Sequence, residues 1–183
     1  MKALLLIDIQ NQIQDDLHKD FINNSFVKNV VQLIRYADSQ NIPVIHITTE
    51  YTEENTPTLN WQKGFNFFKE GTYASEEIEE IAKTFKEGHY KIVKHHYDSF
   101  WNTNLDQLLK ELDVDDLIIA GAYTHWCVLS TIFSAMSRDL NQTIVTDCVG
   151  SRYPELDKLI FGNVLDKKVP ALQIKTLSEL ING

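Results

Sequence analysis

Cysteine is scarce, with two in 183 residues. That is too few for a disulfide framework, and the N-terminus carries no secretory leader pattern, so both are expected to sit reduced in a cytoplasmic setting. At least one is then free to do chemistry. Positive charge is also short: 17 Lys and Arg stand against 26 Asp and Glu, a net charge of −9, and no Lys/Arg block occurs. A phosphate-backbone surface needs clustered cations, so nucleic acid is not an expected partner. No apolar run approaches the ~18 residues of a membrane span. The longest at the N-terminus, Ala3-Leu4-Leu5-Leu6-Ile7, is stopped by Asp8, so no membrane is expected either. No internal repeat, low-complexity tract or linker interrupts the chain, and its length suits a single domain over residues 1–183 that can bury a continuous core.

Six short apolar runs are present: Lys2 to Ile9, Pro43 to Ile47, Lys91 to Val93, Leu117 to Ala120, Thr143 to Val145 and Ala171 to Ile174. They alternate too little to be half-exposed, and read as buried strands. Between them lie stripes at helical spacing. These are Val27/Val30/Val31/Ile34, Ile78/Ile81/Ala82/Phe85, Leu105/Leu108/Leu109/Leu112, Leu129/Ile132/Phe133/Met136/Leu140 and Leu156/Leu159/Ile160/Val164. Pro154 fits the first turn of the last of these, and Thr103 with Asp106 fits a capping box. Strand and helix alternate throughout, which predicts an α/β protein with a parallel sheet covered on both faces, a three-layer α/β/α domain. The irregular stretch Thr48 to Ala74 carries Tyr51, Trp61, Phe65, Phe67, Phe68 and Tyr73. Such a loop is either a lid over a ligand or a satellite hydrophobic cluster pinning itself down.

Parallel sheets collect ligands outside the carboxyl ends of their strands. Three reactive side chains fall there: Asp8 after the first run, Lys94 after the third and Cys127 shortly after the fourth. Singly, each has a bland explanation as a cap, a solvated cation or a small buried hydrophobe. Together they suit nucleophilic catalysis, because a helix N-terminus and an ammonium lower a thiol's pKa while a carboxylate relays its proton. Thr124 is the expected N-cap of the helix that carries Cys127. A dinucleotide-binding fold is set aside, since Asp8-Ile9-Gln10-Asn11-Gln12 has no glycine through which backbone could approach a pyrophosphate.

Three segments, Leu6-Ile7-Asp8-Ile9-Gln10, Lys94-His95-His96-Tyr97-Asp98-Ser99-Phe100 with Thr103 and Leu105, and Gly121-Ala122-Tyr123-Thr124-His125-Trp126-Cys127-Val128, resemble in order and spacing the signature blocks of the isochorismatase-like cysteine hydrolases. The resemblance covers nearly the whole chain. It implies a six-stranded parallel sheet and a catalytic Asp-Lys-Cys triad at Asp8, Lys94 and Cys127. It also implies a cis peptide bond between Ala122 and Tyr123, and an oxyanion hole from the backbone amides of Tyr123 and Cys127. The implied reaction is hydrolysis of a C–N bond in a small amide or ureido substrate through a thioester. Gln10, Trp61, Tyr97, Trp101, Tyr123, His125 and Trp126 are the candidates to line the substrate pocket. The family further suggests a homodimer or higher homo-oligomer.

Two departures matter. Nicotinamidase-type relatives bind a metal through Asp-x-His after the second strand, whereas this chain reads His46-Ile47-Thr48-Thr49-Glu50-Tyr51. No metal and no cofactor are therefore expected. His46 reads as a core histidine, and His18 and His89 as surface. Conversely, Gly121-x-Tyr123-x-His125 resembles true isochorismatases, which lack the cysteine, so vinyl ether hydrolysis with Asp8 as general acid is the alternative. A non-catalytic binding module on the same fold is the second alternative. Cys148 matches no family role and reads as structural.

Overall fold

The computed structural model describes residues 1–16, 25–52, 67–165 and 169–183. His18, Trp61 and Phe65 lie outside the described residues. All six apolar runs form strands: β1 (Lys2–Ile7), β2 (Val44–Thr49), β3 (His89–Lys94), β4 (Asp116–Ala122), β5 (Asn141–Gly150) and β6 (Leu172–Lys175). They make one sheet in the order β3-β2-β1-β4-β5-β6, parallel at every pairing.

Alternation along β1 divides the core in two. Ala3, Leu5 and Ile7 face one side, joining Leu105 and Leu109 of α4 (Leu105–Glu111), Ile132 and Ala135 of α5 (Leu129–Met136), and Ile160 just past α6 (Pro154–Leu159). Leu4 and Leu6 face the other, against Phe26, Val30, Leu33, Ile34 and Ala37 of α2 (Phe26–Ser39) and Leu177 of α7 (Leu177–Asn182). A strand buried on both faces must be apolar at every position, which is why β1 reads as a run and not as an alternation.

Several local expectations change. A short helix α1 (Asn11–Asp16) follows the first strand, unmarked by any apolar stripe. The stripe at Ile78 to Phe85 yields only one helical turn, α3 (Glu79–Ala82). Beyond it, Thr84 and Phe85 bond back to Ile81 and Ala82, three residues away, and this tightening ends the helix. Phe85 then packs edge-on to His46 at 5.2 Å. The Thr103/Asp106 capping box does not form. Asn104 is the cap residue, the Thr103 hydroxyl donates to the Ser99 carbonyl, and Asp106 pairs with Arg138. A capping box does close the start of α7, from Thr176 and Glu179.

His46 is a core histidine, fully buried with Nδ1 2.7 Å from a Glu77 carboxylate oxygen. His89 is not on the surface. Its side chain is 3% exposed, because α2 presents Asp38 to the β3 edge at 2.9 Å while His46 lies 3.3 Å away on the other side. Cys148, expected to be partly buried, is fully buried in the second core half.

Candidate active site

The carboxyl ends of β1 to β4 converge on Asp8, Thr49, Lys94 and Cys127. Asp8 stands one residue beyond β1 at φ 52°, a left-handed conformation that Asp tolerates better than most, with its N–H bonded to the Ile47 carbonyl at 2.8 Å. Thr49 and Lys94 are the last residues of β2 and β3, and the register places them side by side. Cys127 lies in the π-helical turn Thr124–Val128 that joins β4 to α5.

Gly121 lets the β1 and β4 ends meet. Its φ is 138°, and a Cβ there would fall 2.1 Å from the Ile7 carbonyl oxygen. The next peptide bond, Ala122–Tyr123, is cis. The Tyr123 carbonyl accepts from the Trp126 and Val128 amides at 3.1 and 3.2 Å, turning the backbone around Cys127. Thr124 is not the N-cap. Tyr123 occupies that position, and the Thr124 hydroxyl is buried without a hydrogen-bond partner.

Asp8, Lys94 and Thr49 are all essentially without solvent contact, and Cys127 is 5% exposed. Lys94 Nζ lies 2.8 Å from Asp8 Oδ2, 2.7 Å from Thr49 Oγ1, 3.0 Å from the His96 carbonyl and 3.5 Å from Cys127 Sγ. An ammonium has three hydrogens. The three oxygen contacts account for them, and the sulfur receives only a share.

The resting thiol therefore differs from the lowered pKa expected of it. Burial, and then the Asp8 carboxylate, push the Cys127 thiol well above its ordinary range, and Lys94 only partly opposes them. Burial alone would lower the Lys94 pKa, but Asp8 and Cys127 outweigh it and hold the ammonium protonated. Burial and Asp8 thus favour the thiol over the thiolate at Cys127, beside the Lys94–Asp8 ion pair.

Four of the pocket candidates form one aromatic group. Tyr97 stacks on Trp126 at 5.7 Å, Tyr123 meets Trp126 edge-on at 5.7 Å, and His125 lies 5.1 Å from Trp126. Tyr153 extends the group beyond His125, and the Arg152 guanidinium sits over the Tyr123 ring. Trp101 stands apart, 61% exposed and edge-on to His96. Gln10 is tied to the β2 end. It is fully buried, with Nε2 donating to the Thr49 and Ser75 carbonyls at 2.8 and 2.6 Å and Oε1 accepting from the Thr49 amide at 2.9 Å.

Two residues of the site carried no mark in the sequence. Thr49 lies in a segment whose one sequence feature is its lack of Asp-x-His. Tyr51 was one aromatic among several in a loop. Its phenol is pushed up by burial and interacts electrostatically with Lys94, Cys127 and Asp8. Of the two histidines after Lys94, His95 donates from Nδ1 to the Glu50 carbonyl, and His96 is shifted down by burial and by the neighbouring cationic charge of His95 and Lys94. Among the described residues, no group of three or more His, Cys, Asp or Glu is arranged to hold a metal ion.

Comparison with known proteins places this six-stranded parallel sheet among the isochorismatase-like hydrolase folds. The chain belongs to the isochorismatase family, whose Isochorismatase domain matches residues 2–171. A probable inactive nicotinamidase of Arabidopsis thaliana is 29% identical over 192 residues, spanning 97% of this chain and 93% of that protein. An isochorismatase family protein from Burkholderia thailandensis superposes with a TM-score of 0.86 at 19% identity, over 100% of this chain and 96% of that one. N-carbamoylsarcosine amidase from Thermoplasma acidophilum gives 0.77 at 24% identity, over 97% of each chain. At these identities the superpositions speak for the fold alone. Among the described residues, no helix is long and apolar enough to cross a membrane.

Proposed function

We propose that this hydrolase cleaves a C–N bond of a small amide or ureido compound with Cys127 as nucleophile, Asp8 as proton relay and Lys94 as the fixed cation. The observation that carries this reading is the buried contact set in which one ammonium touches both the Asp8 carboxylate and the Cys127 sulfur. Because burial favours the thiol form, attack needs a base for its proton. Asp8 takes the Sγ proton as sulfur bonds to the substrate carbonyl carbon. The carbonyl oxygen gains the charge and is received by the backbone amides of Tyr123 and Cys127. Collapse breaks the C–N bond, and Asp8 passes its proton to the leaving nitrogen. Water, deprotonated by Asp8, then attacks the acyl or carbamoyl thioester, and the departing sulfur recovers a proton. Lys94 stays charged throughout, and the Tyr97/Trp126/Tyr123 surface favours a planar or partly apolar substrate.

The test is a panel of small amides, ureido acids and isochorismate, with ammonia and product detection, on the native enzyme and on Cys127→Ala. Turnover of an amide that the variant loses supports the proposal. The Tyr123 and His125 pattern favours vinyl ether hydrolysis as the second reading, and activity on isochorismate retained in Cys127→Ala would establish it. A relative named as inactive favours a third. A native protein that turns over nothing in the panel and labels Cys127 no faster than Cys148 would be a binding module.

A further inference from the structure

We infer that Thr49 is a positioning residue of this site, its hydroxyl orienting Asp8 for proton transfer, with the Gln10 side chain holding Thr49 in place. The inference rests on the cysteine-hydrolase reading above and adds to it the device that keeps the relay carboxylate aimed. It begins from the direction of two hydrogen bonds. Lys94 Nζ can only donate, so at 2.7 Å the Thr49 oxygen must accept from it. The one hydroxyl proton is then committed outward, and Asp8 Oδ1 lies 2.9 Å away to receive it. Asp8 Oδ2 meanwhile accepts from Lys94 at 2.8 Å. Ammonium and hydroxyl thus grip both carboxylate oxygens and fix the plane of the group, and each oxygen keeps one lone-pair direction for the thiol proton. Without the hydroxyl, one oxygen would lose its donor and the carboxylate could rotate about its remaining tie.

The backbone of Thr49 is itself clamped. Gln10 accepts from its amide and donates to its carbonyl, so one side-chain amide spans the peptide groups on both sides of this residue. Gln10 follows Asp8 by two residues on the same connection out of β1. The clamp therefore fixes the β2 end relative to the segment that carries the carboxylate. Thr49 is 1% exposed and Gln10 is fully buried, so water does not compete for these bonds.

The test compares Thr49→Val and Thr49→Ala, which delete the hydroxyl, with Thr49→Ser, which keeps it. The readout is the rate at which iodoacetamide alkylates Cys127 across pH, followed on the full chain by peptide mass spectrometry, alongside the thermal midpoint. Losing the hydroxyl leaves Asp8 with a single donor and frees one Lys94 hydrogen, so alkylation near neutral pH should change about tenfold or more. The loss should also move the pH profile, since the coupled groups titrate as a set. Thr49→Ser should restore both rate and profile. Native-like rates in the Val and Ala variants would overturn the inference. So would an unchanged profile, or failure of both variants to fold, because the hydroxyl would then serve stability alone. Alkylation needs no substrate, so a native enzyme inert toward every amide would sink the proposed reaction while still deciding the role of Thr49.

Discussion

Replacing Lys94 with Met keeps the length and apolar stem of the side chain but removes its charge. The ammonium sits 3.5 Å from Cys127 Sγ. At an effective dielectric of about 20, unit charges at that distance attract by about 5 kcal/mol, and in water by about 1 kcal/mol. Lys94 is fully buried, so the effect belongs nearer the upper figure, which amounts to a thiolate population lowered about a thousandfold. The variant also leaves the Asp8 carboxylate buried without its cation, a loss of about 3–5 kcal/mol of stability, so folding must be verified by circular dichroism first. The assay follows iodoacetamide labelling of Cys127 from about pH 6 to about pH 10, across the ordinary thiol range. Cys148 is the internal control: it is fully buried, and its thiol is pushed up by burial and Asp147 with no cation opposing. Its labelling reports opening of the fold, so any rise in the destabilised variant is the baseline against which Cys127 is read. Superimposable Cys127 profiles would show that Lys94 does not tune the sulfur, and the nucleophile would need another source of activation.

Gly121→Ala should cost several kcal/mol and abolish turnover, because the new Cβ would lie 2.1 Å from backbone that cannot yield without moving the β1 end; a native-like urea midpoint would contradict this. Stability should fall as pH rises. The Cys127 and Cys148 thiols and the Tyr51 phenol are all pushed up in the folded state, so from about pH 8.5 upward the unfolded chain releases protons that the folded one retains. A urea midpoint that stays flat to about pH 10.5 would refute that sign, and Cys148→Ala should flatten the slope. Turnover should survive prolonged EDTA treatment, given the missing Asp-x-His after β2. Activity lost to the chelator and restored by zinc, iron or manganese would contradict this.

The sheet was legible because burial on both faces forces uninterrupted apolar runs, and Leu4, Leu5, Leu6 and Ile7 in β1 all reach the core. Strand ends were less so. The stripe at Thr143 to Val145 marks only the start of the ten-residue β5, because its far half pairs with β4 across a register shift between Ile119 and Gly121. Beyond that shift Gly121 and Ala122 pair with Val149 and Gly150, and no local pattern announces the change. Capping failed for a related reason. Thr103 and Thr124 have the right residue type at the right offset, but Thr103 is drawn to the Ser99 carbonyl and Tyr123 takes the cap position of the turn. A short polar side chain goes to whichever partner the tertiary structure brings nearest, and sequence distance does not disclose that partner.

The site divides along the same line. Asp8, Lys94 and Cys127 could be found because each follows an apolar run, and a parallel sheet gathers such positions at one edge. What they do to one another depends on contacts between residues 33 to 86 apart in sequence. Read along the chain, a lysine near a cysteine suggests an ammonium making a thiolate. In three dimensions the three hydrogens of that ammonium are satisfied by Asp8, Thr49 and the His96 carbonyl, and the sulfur is left with a residual share. Lys94 is thus first the holder of the carboxylate and only second the activator of the thiol. The ammonium alone therefore leaves the buried sulfur only partly activated. Full activation would wait for a carbonyl placed against the sulfur, when the proton can pass to a carboxylate already held by two donors.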